Sequence, residues 1–489
     1  MSSLSRSHSS PERLSHFIGG VFRESTAEVW HADVNPSDPT DVVALVPDGT
    51  DNAAHLAVQA AANAFPGWRA LPGPARAEHL HKWAAAIASR AEELAQHMAR
   101  EVGKPISESR GEVARCAMIL RYFAGEAVRD MGDVIPAQSV GALQFTLREP
   151  LGVVALITPW NFPLAIPLWK TAPALAFGNT VVLKPAEAAS HMATLLGETA
   201  AAAGVPPGVF NVLLGSGAVV ANALLGDSQV RAVSFTGSGA VGKLVAARAT
   251  ERNIRYQTEM GGKNVVIVLH DADLKQAAAL TAAGAMRYAG QKCTATSRVV
   301  VDARVESAFI AELQREIEAL PIGLVTDAGT ALGPVISARA RDGIQRIVAE
   351  HRDHVAFAGR VPDGPGFADG YFVAPTVIHG VKADSALAQE EIFGPVLASF
   401  VADDLDHALS LANDSTYGLS ASLFTRDLRS ALTYVHRIEA GLVRVNGDTT
   451  GVDPHAPFGG TKGSSSGSRE QGTAAREFYT EIKTVQVNP

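Results

Sequence analysis

The chain has 489 residues, 47% hydrophobic and 19% charged, an ordinary globular composition with enough length for two or three domains. A formal net charge of -8 without a long basic run gives no reason to expect nucleic acid or an anionic membrane surface as partner. No apolar run approaches the ~20 residues that cross a bilayer, which leaves small molecules as the expected ligands.

The N-terminal segment lacks the apolar centre of a signal peptide, so the expected location is cytoplasmic. The two cysteines, Cys116 and Cys293, provide neither a disulfide framework nor metal-ligand spacing, and no metal site is expected.

Taken in chain order, residues 1–14 are rich in Ser and are expected to be disordered. A helical pattern runs from 51 to 128. Within it Leu80, Trp83, Ile87, Ala91 and Leu94 form the apolar stripe of an amphipathic helix. A second helix is expected over 112–128, with Cys116 on the face of Ile119 and Phe123, which makes it a core residue. Residues 142–148 alternate apolar and polar, as a half-buried strand does. Strand-like runs at 153–157, 180–183, 209–214, 232–235 and 265–269 alternate with helical ones, the pattern of an α/β doubly wound parallel sheet. A second α/β segment follows, with a strand at 298–301, a helix over 305–320 and Gly/Pro punctuation at 361–366.

Two residues carry the chemistry. Cys293 stands in Tyr288-Ala289-Gly290-Gln291-Lys292-Cys293-Thr294, and Glu259 in Glu259-Met260-Gly261-Gly262-Lys263-Asn264. A thiolate can add to an aldehyde carbon and hydride can then leave. A carboxylate can activate the water that hydrolyses the thioester to an acid. Taken alone, Cys293 also reads as an inert buried thiol. No Gly-x-Gly-x-x-Gly follows the first strand of the sheet. In its place residues 235–242 run from strand into helix, where free N–H groups can meet a phosphate and Gly237 and Gly242 allow close backbone approach.

From about residue 16 onward the chain resembles the NAD(P)-dependent aldehyde dehydrogenase superfamily. The resemblance rests on Pro159-Trp160-Asn161-Phe162-Pro163, Lys184-Pro185-Ala186-Glu187, Phe235-Thr236-Gly237-Ser238, Glu259-Met260-Gly261-Gly262-Lys263, Gly290-Gln291-Lys292-Cys293, Glu391-Ile392-Phe393-Gly394-Pro395 and Pro457-Phe458-Gly459-Gly460, in the family's order. It implies a Rossmann-type NAD(P) domain over 15–130 and 149–260 and an α/β catalytic domain over 261–463. A small β oligomerisation arm over 131–148 and 470–489 would pair subunits of a homodimer or homotetramer.

By the same resemblance Cys293 is the nucleophile, Glu259 the base, Asn161 an oxyanion donor with the Cys293 N–H, and Lys170 and Glu470 a more distant proton path. Trp160, Lys184, Glu187, Gly237, Ser238, Gly242, Glu391 and Phe393 are assigned to the cofactor. A carboxylate at Glu187 would accept from the ribose 2′-hydroxyl and repel a 2′-phosphate, so NAD is expected over NADP, with NADP use left open.

The aldehyde tunnel is assigned Ala165, Ile166, Trp169, Arg287, Thr294, His455 and Phe458. A guanidinium at Arg287 can hold a carboxylate at the far end of a substrate. Asp453 would oppose an anion if it pointed inward, and no second basic group is apparent to share one. The tail around Gly451–Gly460 and Ser464–Gly472 is similar to α-ketoglutaric semialdehyde dehydrogenases. Alternatives are a broad-specificity or succinic semialdehyde oxidiser, a thioester-forming or esterase enzyme on the same scaffold, and an inactive binding or structural protein.

Overall fold

A computed structural model describes residues 11–489. Of the segment expected to be disordered, residues 1–10 lie outside the described residues. The rest of it is built in: the Leu14 N–H donates to the Leu45 carbonyl at 3.0 Å, and its side chain is buried in the first core. An apolar residue with a backbone partner and a core to enter has no reason to stay solvated.

The larger sheet has eight strands, ordered Val21–Arg23, His16–Ile18, Phe210–Val212, Thr180–Lys184, Val153–Ile157, Val230–Thr236, Arg255–Glu259 and Ser465–Ser466. Its five central strands are parallel. Val153–Ile157 is buried along its whole length, as a near-continuous β-branched run covered on both faces must be. Successive strands run outward from it in one direction, then return to its other side at Val230–Thr236. That reversal opens a crevice at the carboxyl ends, where α/β sheets bind ligands.

The second sheet has seven strands, ordered Val355–Ala358, Thr376–His379, Val396–Ala402, Thr296–Asp302, Asn264–Val268, Ser420–Phe424 and Leu442–Val445. The strand expected at 265–269 thus pairs with Thr296–Asp302 and begins the second sheet. Only Met260–Lys263 joins the two sheets at this point, leading from the carboxyl end of Arg255–Glu259 to the start of Asn264–Val268, which pairs with Thr296–Asp302.

The stripe from Leu80 to Leu94 crosses two helices, Gly73–Ser89 and Ala91–Val102, which meet at Arg90. Ala91 opens the second helix and is exposed, whereas Leu94 is buried. Arg90 holds the corner by pairing with Glu93 and Glu198 at 2.6 and 2.9 Å. The next helix is longer than expected, Ile106–Glu126, and Cys116 is fully buried in it.

A three-stranded antiparallel sheet joins Thr480–Val487, Leu143–Pro150 and Val134–Ile135. Its alternation does not bury one face: Leu143, Leu147, Ile482 and Val487 are exposed, because this sheet packs little of its surface on the rest of the chain. Residues 470–479 do not join it. Ala475, Phe478 and Tyr479 pack into the first core instead.

Candidate active site

The crevice of the larger sheet is a cavity of about 1070 Å³. It is lined by Thr158 and Trp160 after one central strand, Lys184 and Glu187 after the next, and Thr236, Gly237 and Ser238 after a third. The Ser238 side chain makes no cap to the helix Gly239–Glu251, so that helix presents its first N–H groups without a side-chain acceptor. The buried Thr236 hydroxyl has no partner. Lys184 lies 3.7 Å from Glu187, which accepts the Gly217 N–H at 3.2 Å. Free donors beside a carboxylate suit a dinucleotide with phosphates at one point and a ribose diol at another.

Gly242 is not part of this lining. A Cβ there would meet the Met260 sulfur at 2.6 Å and the Phe235 ring at 3.3 Å, so this glycine lets the helix pack onto the neighbouring strands. Phe393 stands edge-on to Trp160, with ring centroids 5.6 Å apart. Glu391 accepts the Gly262 N–H at 3.0 Å, and burial pushes its carboxyl up to about 7.

Cys293 follows a distorted turn. The helix Leu274–Met286, capped by Asp273, ends at left-handed backbone in Tyr288 and Ala289, with φ of 55° and 52°. Such geometry costs a side-chain-bearing residue about 1–2 kcal/mol, and burial of the Tyr288 ring holds it. The Cys293 carbonyl accepts from Asn264 at 2.8 Å, and the Asn161 amide donates to the Gln291 carbonyl at 3.0 Å. Asn161 thus reaches the nucleophile loop from far away in sequence and keeps one amide proton free.

Glu259 ends its strand buried. One oxygen accepts from Ser465 at 2.5 Å and the other has no partner. Burial and the charge of Glu470 push this carboxyl well above its usual range. Lys170 and Glu470, buried at 0% and 3% exposure, are ion-paired, and Glu470 also accepts from Trp169 at 2.7 Å. Lys170 donates further to Ser234 at 2.7 Å. Burial, with Glu391 and Glu259 adding to it, pushes the Cys293 thiol up to about 12. The thiol therefore keeps its proton at neutral pH, and a nucleophile forms only when a base takes that proton at the moment of attack. A carboxyl pushed up by burial is the stronger base for that purpose.

A second cavity, about 440 Å³, contains Cys293 and Thr294 together with Phe162, Trp169, Phe458 and Arg287. Ala165 and Ile166 do not line it. They sit on the same helix as Trp169 but point into the first hydrophobic core. His455 and Asp453 are exposed outside it, with the imidazole 6.4 Å from the Tyr122 ring.

This cavity contains a cation that the sequence did not single out. Arg115 lines it beside Glu112 and Glu108, and its Nε is buried with no partner. Glu108, Gly111, Glu112 and Arg115 recur at helical spacing, a signal hidden because the same helix carries the apolar face of Cys116. Both carboxylates are committed: Glu112 to Lys104 and to the Leu164 and Ala165 N–H groups at 3.0 and 2.9 Å, Glu108 to Lys292 at 3.0 Å. Among the described residues no carboxylate forms an ion pair with Arg115 or Arg287. No group of three or more His, Cys, Asp or Glu among the described residues is placed to hold a metal, and no helix is long and apolar enough to cross a membrane.

A dinucleotide-type crevice, in a chain that also sets a thiol under the charge of a buried carboxyl, is the equipment of a cofactor-linked oxidoreductase. The chain belongs to the aldehyde dehydrogenase family, whose profile matches residues 22–485. It is 44% identical over 477 residues to an alpha-ketoglutaric semialdehyde dehydrogenase of Bacillus subtilis, covering 97% of this chain and 98% of the relative. It is 44% identical over 475 residues to an alpha-ketoglutarate semialdehyde dehydrogenase of Haloferax volcanii, covering 96% and 98%. Among solved structures it is similar to an NAD-dependent aldehyde dehydrogenase of Sinorhizobium meliloti, with TM-score 0.94, 35% identity and coverage of 98% and 95%.

Proposed function

We propose that this protein oxidises an aldehyde with a distal carboxylate, of the α-ketoglutaric semialdehyde class, to the corresponding acid with NAD. The observation that carries the substrate class is that two guanidinium groups without an ion-pair partner, the exposed Arg287 and Arg115 with its unpartnered Nε, line the cavity that holds Cys293. The two semialdehyde dehydrogenase relatives support it.

The dinucleotide, when bound, supplies the hydride acceptor. The chain's own residues do the rest. Glu259 takes the thiol proton directly or through water, and the Cys293 sulfur bonds to the aldehyde carbon. The carbonyl π electrons move to oxygen, where the Asn161 amide and the Cys293 N–H meet the charge. Such a donor contributes ~10²–10³ in rate. Loss of hydride leaves a thioester on Cys293. Glu259 then takes a proton from the water that adds to the acyl carbon, and the thiol leaves. Lys170 and Glu470 carry protons away from Glu259.

Lys184, Glu187, Trp160, Gly237 and Ser238 would hold the dinucleotide, and Glu391 and Phe393 would meet its nicotinamide half. Glu187→Ser is expected to raise kcat/KM for NADP relative to NAD by about tenfold, since a 2′-phosphate no longer meets a carboxylate. Initial rates with both cofactors test it, and an unchanged ratio removes Glu187 from cofactor choice.

The exposed apolar side chains of the three-stranded sheet support its role as the arm of a homodimer or homotetramer, in a cytoplasmic enzyme of two α/β domains.

The substrate assignment is tested with Arg287→Ala and Arg115→Ala. Each is expected to lower kcat/KM for α-ketoglutaric semialdehyde by about 10- to 150-fold, the worth of a charge-assisted hydrogen bond of roughly 1.5–3 kcal/mol, and to spare a neutral aldehyde of similar length. Equal losses for both aldehydes would reject the carboxylate reading.

A further inference from the structure

Gln291 lies two positions before the nucleophile, is fully buried, and uses its whole amide. Its Nε2 donates to the Tyr288 and Pro334 carbonyls, both at 3.3 Å, and its Oε1 accepts the Ile336 N–H at 2.8 Å. Its backbone carbonyl is the one that accepts from Asn161. Ile336 and Ser337 line the large cavity of the crevice. One residue thus joins three parts: its side chain ties a wall of that cavity to the left-handed turn that delivers Cys293, and its backbone carbonyl holds the amide of Asn161.

The turn also has no room to retreat from a second wall. A Cβ on Gly290, at φ 67°, would lie 2.4 Å from the Gly394 carbonyl, in the segment that continues from Glu391 and Phe393. A buried amide is costly unless every donor and acceptor is met, and an apolar side chain would fill the same volume without that demand. The retained polarity is accounted for if the link itself matters.

We infer that Gln291 is a positioning residue that couples occupancy of the dinucleotide cavity to the placement of the Cys293 thiol and the Asn161 amide. This rests on the cofactor reading of that cavity. A dinucleotide pressing on the Ile336–Ser337 wall moves the acceptor and donor of Gln291 together. Close packing at Gly290 turns that movement into a shift of the nucleophile loop.

The test is the rate of Cys293 alkylation by iodoacetamide, followed by mass spectrometry of the Cys293 peptide, with and without saturating NAD. In the wild-type protein NAD is expected to change the rate by about fivefold or more, within the usual range of coupling between sites. In Gln291→Ala the ratio should fall to about one while NAD affinity, followed by fluorescence titration, stays within about threefold. Gln291→Met fills a similar volume with neither the acceptor for Ile336 nor the donor to Tyr288 and Pro334, so it should fold where the alanine variant does not, and should show the same loss of ratio.

A wild-type ratio in either folded variant overturns the inference, as does a wild-type protein that binds NAD with no change in alkylation. Failure of the wild-type protein to bind NAD would instead overturn the cofactor reading.

Discussion

Cys293→Ala is expected to lose aldehyde oxidation by about 10⁴-fold or more, the order by which removing a covalent nucleophile reduces turnover, with NAD bound as tightly as before. The two halves of this expectation come from different cavities. The thiol lines the smaller one, with Phe162, Trp169 and Phe458, and is absent from the lining of the dinucleotide crevice. NADH formation would report the first half and a fluorescence titration with NAD the second. Cys293→Ser sharpens the result. A hydroxyl is a far weaker acid than the thiol, and the surrounding carboxyls already oppose the anion, so serine should be nearly as inactive as alanine. Turnover surviving in both variants would show that another group attacks the carbonyl.

Much of this arrangement was legible in the sequence because the chemistry sits in short motifs. Cys293, Glu259 and Asn161 each stand in one, and the strands at 153–157 and 180–183 were visible as β-branched runs. Other parts were hidden for physical reasons. Strand Arg255–Glu259 reads as a polar stretch, since Gln257, Thr258 and Glu259 are buried in service of the site rather than the core. Lys170 and Glu470 look like solvated charges until the fold pairs them. Gly242 reads as a phosphate-loop glycine, but Met260, from the next strand's end, fills the space beside it once the chain is folded.

The sequence reading assigns Ala165 and Ile166, with Trp169, to the apolar wall of the tunnel. The rotation of their helix decides otherwise, exposing Trp169 to the cavity and turning them to the core. Arg115 was concealed by the opposite effect, a polar edge on a helix whose apolar face dominates the pattern.

Glu259→Gln should separate the two stages of the reaction. The amide keeps an acceptor for Ser465 but cannot take a proton from water, so a fast first turnover of NADH should precede a steady state slowed by ~10²–10⁴-fold. A fall in the burst rate with the steady state intact would assign Glu259 to thiol activation alone. The same substitution carries a thermodynamic signature of opposite sign. Burial and Glu470 raise this carboxyl in the folded protein, so the folded state binds its proton more tightly than the unfolded chain does. Ionisation therefore opposes folding. The penalty is absent below the unfolded carboxyl value of ~4.3 and is complete once pH exceeds the raised folded value. Glutamine removes it, so the variant should melt above the wild-type protein at pH 8, with the gap closing as pH falls toward 5. Because base function needs the ionised form, the wild-type steady-state rate should rise with pH over the same interval, through a midpoint above the ordinary carboxylate range. A variant that melts lower at pH 8, or a wild-type rate flat across that interval, would show that Glu259 is not held protonated by its surroundings.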